Sequence, residues 1–363
     1  MKINWLEVNR LRNISAASLQ FHPQYNVLAG PNGSGKTSVL EAIHLLSSGR
    51  SFRATQVSPV IQYDQPDLIV RAGWKNEPGT LSQLAIQRDR QGEMTVKLNG
   101  DNLPRLADLA SLLPLQLLNP DSYQLLNAGP SVRRKFLDWG LFHVEPSFLP
   151  LWQRYHRVLR QRNAALKQRA EPDAWDALYA ELGEALSEQR KQYAQQVGEE
   201  FSTEIEKLLD IEGIELRYSS GWRQDEPLIE TLKRHYARDL ALGSSQNGPH
   251  RGDLQLYYKG NPLEKLFSRG QQKVVVYALL IARGTLLQAQ TGKRCIYLVD
   301  DVASELDERM LGRVLQALQQ SSSQCFITAI DARPLAHLLS ETDHRMFHVE
   351  HGEIAAVDAL ALA

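Results

Sequence analysis

The chain has 363 residues, 43% of them hydrophobic, with 41 Lys and Arg against 42 Asp and Glu and only two cysteines. That length suggests about two domains, each able to bury a core without staples, and Cys295 and Cys325 inside apolar runs exclude a disulfide framework and a cysteine-rich metal site. The formal charge of -1 argues against a nucleic-acid partner if charge is spread evenly, because polyanion binders carry excess positive charge.

In chain order, "MKINWLEVNR" alternates polar and apolar residues and lacks the apolar core of a signal peptide. Residues 2–9 and 17–28 are predicted strands, broken by "RN" and "HPQ" turns. The run "VLAG" leads into a glycine-rich loop, and the spacing of Leu40, Ile43, Leu45 and Leu46 predicts a helix over Ser38–Ser47. Residues 68–98 are short, partly alternating segments that predict an antiparallel sheet. From about Pro130 to Leu242 the sequence is Gly-poor and helically periodic. From Asp253 the α/β pattern returns, with strands at "LQLYY", "RCIYLVD", "CFITAI" and "MFHVEHGEI". The expected organisation is an α/β nucleotide-binding head made of residues 1–125 and 244–363, interrupted by a mostly α-helical arm over 126–243. The longest apolar stretch, Val274 to Ala282, falls short of the roughly 20 residues that cross a bilayer, so a cytoplasmic protein with no membrane partner is expected.

Charge is uneven within the helical part. Between Ser131 and Ala170 nine basic residues face two acidic ones, whereas 171–212 holds twelve acids and three bases. A helix bearing Arg154, Arg157, Arg160 and Arg162, with Trp152 and Tyr155 between them, offers a basic ridge to DNA phosphates. The alternative is a solvated helix paired with its acidic neighbour in a hairpin.

Three motifs carry chemistry. "GPNGSGKT" fits the phosphate-binding pattern: in the loop Gly30, Pro31, Asn32, Gly33, Ser34 and Gly35 the glycines let successive backbone N–H groups turn inward, Lys36 reaches the terminal phosphates of ATP, and Thr37 can ligate Mg2+. "CIYLVDDVASELD" ends a buried strand in two carboxylates, Asp300 to hold Mg2+ and Asp301 to orient or deprotonate an attacking water. "LFSRGQQKVVVYALL" opens a long apolar helix with Ser268 as its N-cap, and its free N–H groups form an anion site with Gly270 and Gln271. Capping alone explains a Ser-x-Gly start, but not the order of all three motifs.

That order resembles ATP-binding-cassette ATPases, with "SRGQQ" as the signature motif and "SELD" (Ser304 to Asp307) as the loop after the magnesium strand. Within that superfamily the chain resembles the RecF family of recombination mediators, in the Rad50/SMC-head branch. The match runs from "LRNI" through "GRSFR", "RRKFLDWG" and "GPHRGDL" to "FSRGQQK" and "DDVASELD". The resemblance implies an ABC-ATPase P-loop head with a helical second domain and an ATP-dependent homodimer in which Ser268 of one copy contacts the phosphate held by Lys36 of the other. It further implies binding of double- and single-stranded DNA near gaps, cooperation with RecR and RecO to load RecA in repair and the SOS response, and slow hydrolysis that releases the dimer.

The same resemblance brings further residues with alternatives beside them. Arg12 and Asn13 lie near nucleotide or form a strand-end turn; Arg53 approaches nucleotide or DNA, or is a surface arginine. Gln116 is placed in the glutamine loop, Asp307 in the loop after the magnesium strand, and His250 is a capping or core histidine. Two departures from transporter-type cassettes fit a slow timer: the second carboxylate is Asp301 rather than glutamate, and "FITAID" has no switch histidine. A transporter ATPase, an SMC-type tether and a small-molecule kinase are the competing readings.

Overall fold

The computed structural model describes residues 2–75, 79–169, 173–223, 225–302, 305–340 and 342–357. The strands of the first part of the chain are β1 (Trp5–Leu11), β2 (Ile14–Gln20), β3 (Tyr25–Ala29), β4 (Asp67–Lys75), β5 (Leu81–Asp89), β6 (Met94–Leu98), β7 (Asp101–Asn102) and β8 (Leu115–Leu118), with helices α1 (Lys36–Ser48) and α2 (Leu106–Leu112). A helical stretch follows: α3 (Gln124–Asn127), α4 (Pro130–Val144), α5 (Phe148–Lys167), α6 (Asp173–Leu209), β9 (Ile214–Ser219), α7 (Leu228–Leu242), β10 (Asp253–Tyr258), β11 (Asn261–Pro262) and α8 (Arg269–Thr291). The chain closes with β12 (Ile296–Val299), α9 (Glu308–Gln320), β13 (Gln324–Ala329), α10 (Arg333–Leu338), β14 (His344–Glu350) and β15 (Glu353–Val357).

These elements form two units, one of Met1–Ser122 with Gly292–Ala363 and one of Tyr123–Thr291. In the first unit, uninterrupted apolar runs become strands covered on both faces: every residue of β3, β12 and β13 is buried. They lie in a sheet of order β15-β14-β3-β13-β12-β8, parallel except for the β15 edge. A second, wholly antiparallel sheet has the order β2-β1-β4-β5-β6-β7, as the alternation over 68–98 predicts. Helix α1 packs against β1, β4 and β5 of one sheet and β13 of the other, and its apolar face joins one core with them. Buried Gln324 ties the start of the chain to β13, accepting from Ile3 N–H at 2.7 Å and donating to Ile3 O at 2.8 Å and His22 O at 2.9 Å. The carboxyl ends of β3, β12 and β13 are in register, which opens a crevice at that edge.

The second unit is built on α8, whose buried residues run almost without break from Gln272 to Leu287, packed along α6. Each buried Val, Leu or Ile contributes about 1.5–3 kcal/mol. By length and composition α8 would also cross a membrane, but 72% of its apolar window is buried inside the protein. Helix α5 packs on α6, and a small antiparallel sheet of order β11-β10-β9 completes the unit.

The structure departs from the sequence reading here. Strand β10 pairs with β9, and residues 244–291 group with the helical unit rather than with the head, because α8 buries its apolar surface against α6. Arg162 does not belong to a ridge. It is fully buried, paired with Asp176 and Asp239 at 2.7 Å each, while Tyr155 is buried and Trp152 donates to Asp138 at 3.2 Å. The helical periodicity that suggested an exposed basic-aromatic face describes two faces, one buried and one not. His250 is a core histidine: its Nδ1 accepts from Tyr155 OH at 2.8 Å, Nε2 donates to Ser245 O at 2.9 Å, and burial pushes its pKa down to about 4.

Candidate functional site

The glycine-rich loop leaves β3 at Ala29 and enters α1 at Lys36. Close approach decides its glycines. A Cβ on Gly30 would lie 2.1 Å from Val349 O, and Gly35 sits at φ 121° against the Asn13 amide. Two hairpins clamp the loop: Asn13 Nδ2, in the β1–β2 turn, donates to Ser34 O at 2.9 Å, and Gly352 N–H, in the β14–β15 turn, donates to the same oxygen at 2.8 Å. Arg12 and Asn13 are therefore both a strand-end turn, with Arg12 at φ 54°, and part of the loop's wall.

Lys36 is buried and its Nζ donates to Gly30 O at 2.7 Å and Pro31 O at 2.8 Å. Burial lowers its pKa, against the pull of Asp301 and Asp300. Asp300, at the end of β12, is buried as well; burial raises its pKa, opposed by hydroxyl donors. Those donors are Thr37 Oγ1 at 2.9 Å and Thr328 Oγ1 at 2.8 Å, both on Asp300 Oδ1. Asp301 follows at φ 54°, a left-handed conformation that aspartate tolerates better than most residues, and its N–H donates to Thr328 Oγ1 at 2.9 Å.

Together these residues bound a cavity of about 720 Å³, with Asn32 to Ser38 as floor, Arg12 and Asn13 as one wall, and Asp301 and Thr328 as another. Its rim carries Arg53, Arg90 and Tyr63, the last 85% exposed. Four basic side chains (Arg12, Lys36, Arg53 and Arg90) and one carboxylate line it, beside the N-terminus of α1, a balance that favours a polyanion. Thr37 and Asp300 offer adjacent oxygen ligands of the kind a hard divalent cation takes together with substrate phosphates, so the residues present fit Mg2+.

Other predicted residues stand elsewhere. Gln116 is a buried β8 residue donating to Cys295 Sγ at 3.6 Å, and it is absent from the cavity lining. Its strand position pairs with Tyr297, two residues short of the crevice edge. Asp307 caps α9, accepting from Met310 N–H at 2.8 Å, and Ser304 lies outside the described residues. Ser268 and Gln271 form a reciprocal cap at the start of α8: Ser268 Oγ accepts from Gln271 N–H at 3.3 Å, and Gln271 Oε1 accepts from Ser268 N–H at 2.9 Å. Ser268, Arg269 and Gly270 are exposed there. Arg154, Arg157 and Arg160 are exposed on α5, with no acidic partner among the described residues.

Sequence reasoning missed Thr328, Tyr63, Arg90 and Glu41. Glu41 is fully buried and holds the Arg12 guanidinium at 2.9 and 2.8 Å. The available signals were a hydroxyl inside the apolar run "FITAI" and a carboxylate among the apolar residues of α1.

The profile of the RecF/RecN/SMC N terminal domain matches residues 2–355. The DNA replication and repair protein RecF of Pseudomonas putida strain F1 is 44% identical over 359 residues, covering 98% of both chains, and that of Pseudomonas aeruginosa strain PAO1 is 42% identical over 360 residues with the same coverage. Among solved structures, that of the recombination mediator protein RecF-ATPrS in the RecFOR pathway superposes with a TM-score of 0.85 at 25% identity, covering 98% of both chains. The Smc head bound to the C-winged helix domain of ScpA superposes at 0.63 with 15% identity, covering 98% of this chain and 97% of that one, a likeness of fold. The fold is thus an ABC-ATPase head of the SMC type carrying a helical second part.

Proposed function

The chain belongs to the RecF family of DNA replication and repair proteins, and from that premise we propose that it is an ATP-dependent DNA-binding recombination mediator whose nucleotide state governs the pairing of two copies. The observation that carries the reading is the phosphate-loop cavity lined by Lys36, Thr37, Asp301 and Thr328, with Asp300 hydrogen-bonded to Thr37 and Thr328 beside it.

The phosphates of ATP take the N–H groups of Gly33 to Thr37, and Lys36 Nζ exchanges the carbonyls of Gly30 and Pro31 for the terminal phosphate oxygens. Thr37 and Asp300 would hold Mg2+, which would supply positive charge to those oxygens. Asp301, on the cavity wall, orients the attacking water. Tyr63 offers its exposed ring to the base. Aspartate in place of glutamate, and the absence of a switch histidine in "FITAID", support slow hydrolysis; DNA stimulates it.

The exposed cap at Ser268 points its helix N-terminus outward, supporting a dimer in which Ser268, Gly270 and Gln271 of one copy meet the terminal phosphate bound by the other. Arg154, Arg157 and Arg160 supply phosphate contacts on DNA, with preference for gapped regions. In the cytoplasm such a dimer works with RecR and RecO to promote RecA loading, and hydrolysis releases it.

The test is solution mass with ATP, with ADP and with duplex DNA. Wild type doubles its mass with ATP, Lys36→Ala does not, and Asp301→Asn stays doubled after wild type has dissociated. A protein that hydrolyses ATP yet keeps its single-copy mass at every concentration overturns the reading.

A further inference from the structure

In the same unit as the nucleotide cavity, a second cavity of about 520 Å³ opens where the segment after α1 folds against β5. Arg50, Arg53 and Arg88 line it over an apolar floor of Leu45, Val57 and Val60, and its lining includes no carboxylate. Arg50 and Arg53 are exposed, so the rim is open to solvent. Arg88 is anchored through Nη1 to Gly49 O at 2.8 Å, yet its Nε is buried with no hydrogen-bond partner among the described residues. A buried N–H without an acceptor is rare in a folded protein and marks a group awaiting one. Burial, and then the charge of Arg50, holds Arg88 below the usual arginine range, with Asp89 pulling the other way.

Arg53 also lines the nucleotide cavity, and its charge acts on the Asp300 carboxyl. The segment that carries it is tied to the wall of that cavity. Ser51 Oγ accepts from Arg53 N–H and Ala54 N–H at 2.9 Å each and donates to Glu41, the carboxylate that grips Arg12.

We propose that this second cavity is a phosphate pocket that takes a backbone phosphate of DNA and couples its occupancy, through Arg53, to the nucleotide cavity. Guanidinium groups bind phosphate oxygens in a fixed fork, and three of them in a lining that holds no carboxylate match one phosphate group. A polymer fits better than a free nucleotide, because the open rim leaves room for the two ester arms of a phosphodiester. The assignment rests on the DNA-binding reading above.

The experiment measures duplex binding by fluorescence anisotropy across a salt series, for wild type, Arg50→Gln and Arg88→Gln, with a parallel calorimetric titration of inorganic pyrophosphate. Each variant should lower DNA affinity about tenfold and shallow the slope of log affinity against log salt by about one, with ATP affinity unchanged. Pyrophosphate at millimolar concentration, titrated with ADP saturating the nucleotide cavity, should show no further binding. Arg50 is exposed, so its variant decides the matter even where Arg88→Gln fails to fold. Unchanged affinity and slope in the variants overturn the pocket while leaving DNA binding in place. Pyrophosphate binding that the variants abolish, with DNA binding intact, assigns the pocket to a free polyphosphate and overturns the DNA occupant. A wild type that binds no DNA overturns the earlier reading and this one together.

Discussion

Thr328 Oγ1 donates to Asp300 Oδ1 at 2.8 Å while accepting from Asp301 N–H at 2.9 Å, so one hydroxyl on β13 holds both carboxylate residues at the end of β12. Thr328 is a positioning residue. Thr328→Val keeps the shape and removes the donor, leaving Asp300 with Thr37 as its remaining hydroxyl donor. A hydrogen bond to a charged group contributes about 1.5–3 kcal/mol, and a misplaced catalytic group costs about a hundredfold in rate. ATP turnover should fall by about that factor while nucleotide affinity changes little, and a variant with wild-type turnover would remove Thr328 from the mechanism.

Ser268→Ala removes one half of the reciprocal cap at the start of α8. Loss of an N-cap side chain costs about 1 kcal/mol, readable as a lower urea midpoint. The functional readout is separate: the variant binds ATP but does not double its mass. Intact ATP-driven doubling would reduce Ser268 to a helix cap.

Glu41→Gln breaks the buried pair that holds Arg12. Removing one partner of a buried ion pair costs about 3–5 kcal/mol, and the partial exposure of Arg12 places the loss near 3 kcal/mol. Nucleotide affinity should fall with it, because the cavity wall loses its anchor. Equal unfolding midpoints for variant and wild type would show that Pro59 O alone suffices to hold Arg12.

Charge reversal at Arg154, Arg157 and Arg160 should flatten the salt dependence of DNA affinity by about three in log-log slope, one for each lost phosphate contact. These side chains have no acidic partner among the described residues, so reversal should leave the unfolding midpoint nearly unchanged. An unaltered slope would take α5 out of the DNA surface.

His250, whose ordinary pKa of 6.5 falls to about 4 in the fold, should make stability depend on acid. Between those two values the unfolded chain binds more protons than the folded one, so stability rises with pH across the window and is lost as pH falls from about 6.5 toward 4. The shift corresponds to at most about 3 kcal/mol. His250→Gln should flatten that part of the pH profile; a profile identical to wild type would place the titration elsewhere.

What depends on contiguous residues was legible in the chain itself. The phosphate loop, the strand ending in Asp300 and Asp301, the Ser268 cap and the family likeness all lie within short segments whose chemistry follows from order and spacing. Contacts across the sheet were not legible, because strand neighbours are chosen by how apolar faces cover one another and not by sequence distance. That choice set Thr328 beside Asp300, sent Gln116 inward to Cys295, and gave β10 to β9. It also sorted the arginines of α5: helical period places Arg154, Arg157 and Arg160 on one row, but only packing against α6 and α7 shows that Arg162 turns inward to Asp176 and Asp239. The formal charge of -1 is therefore a sum over pairs that neutralise one another inside the fold and cations left outside it, and a polyanion meets only the second group.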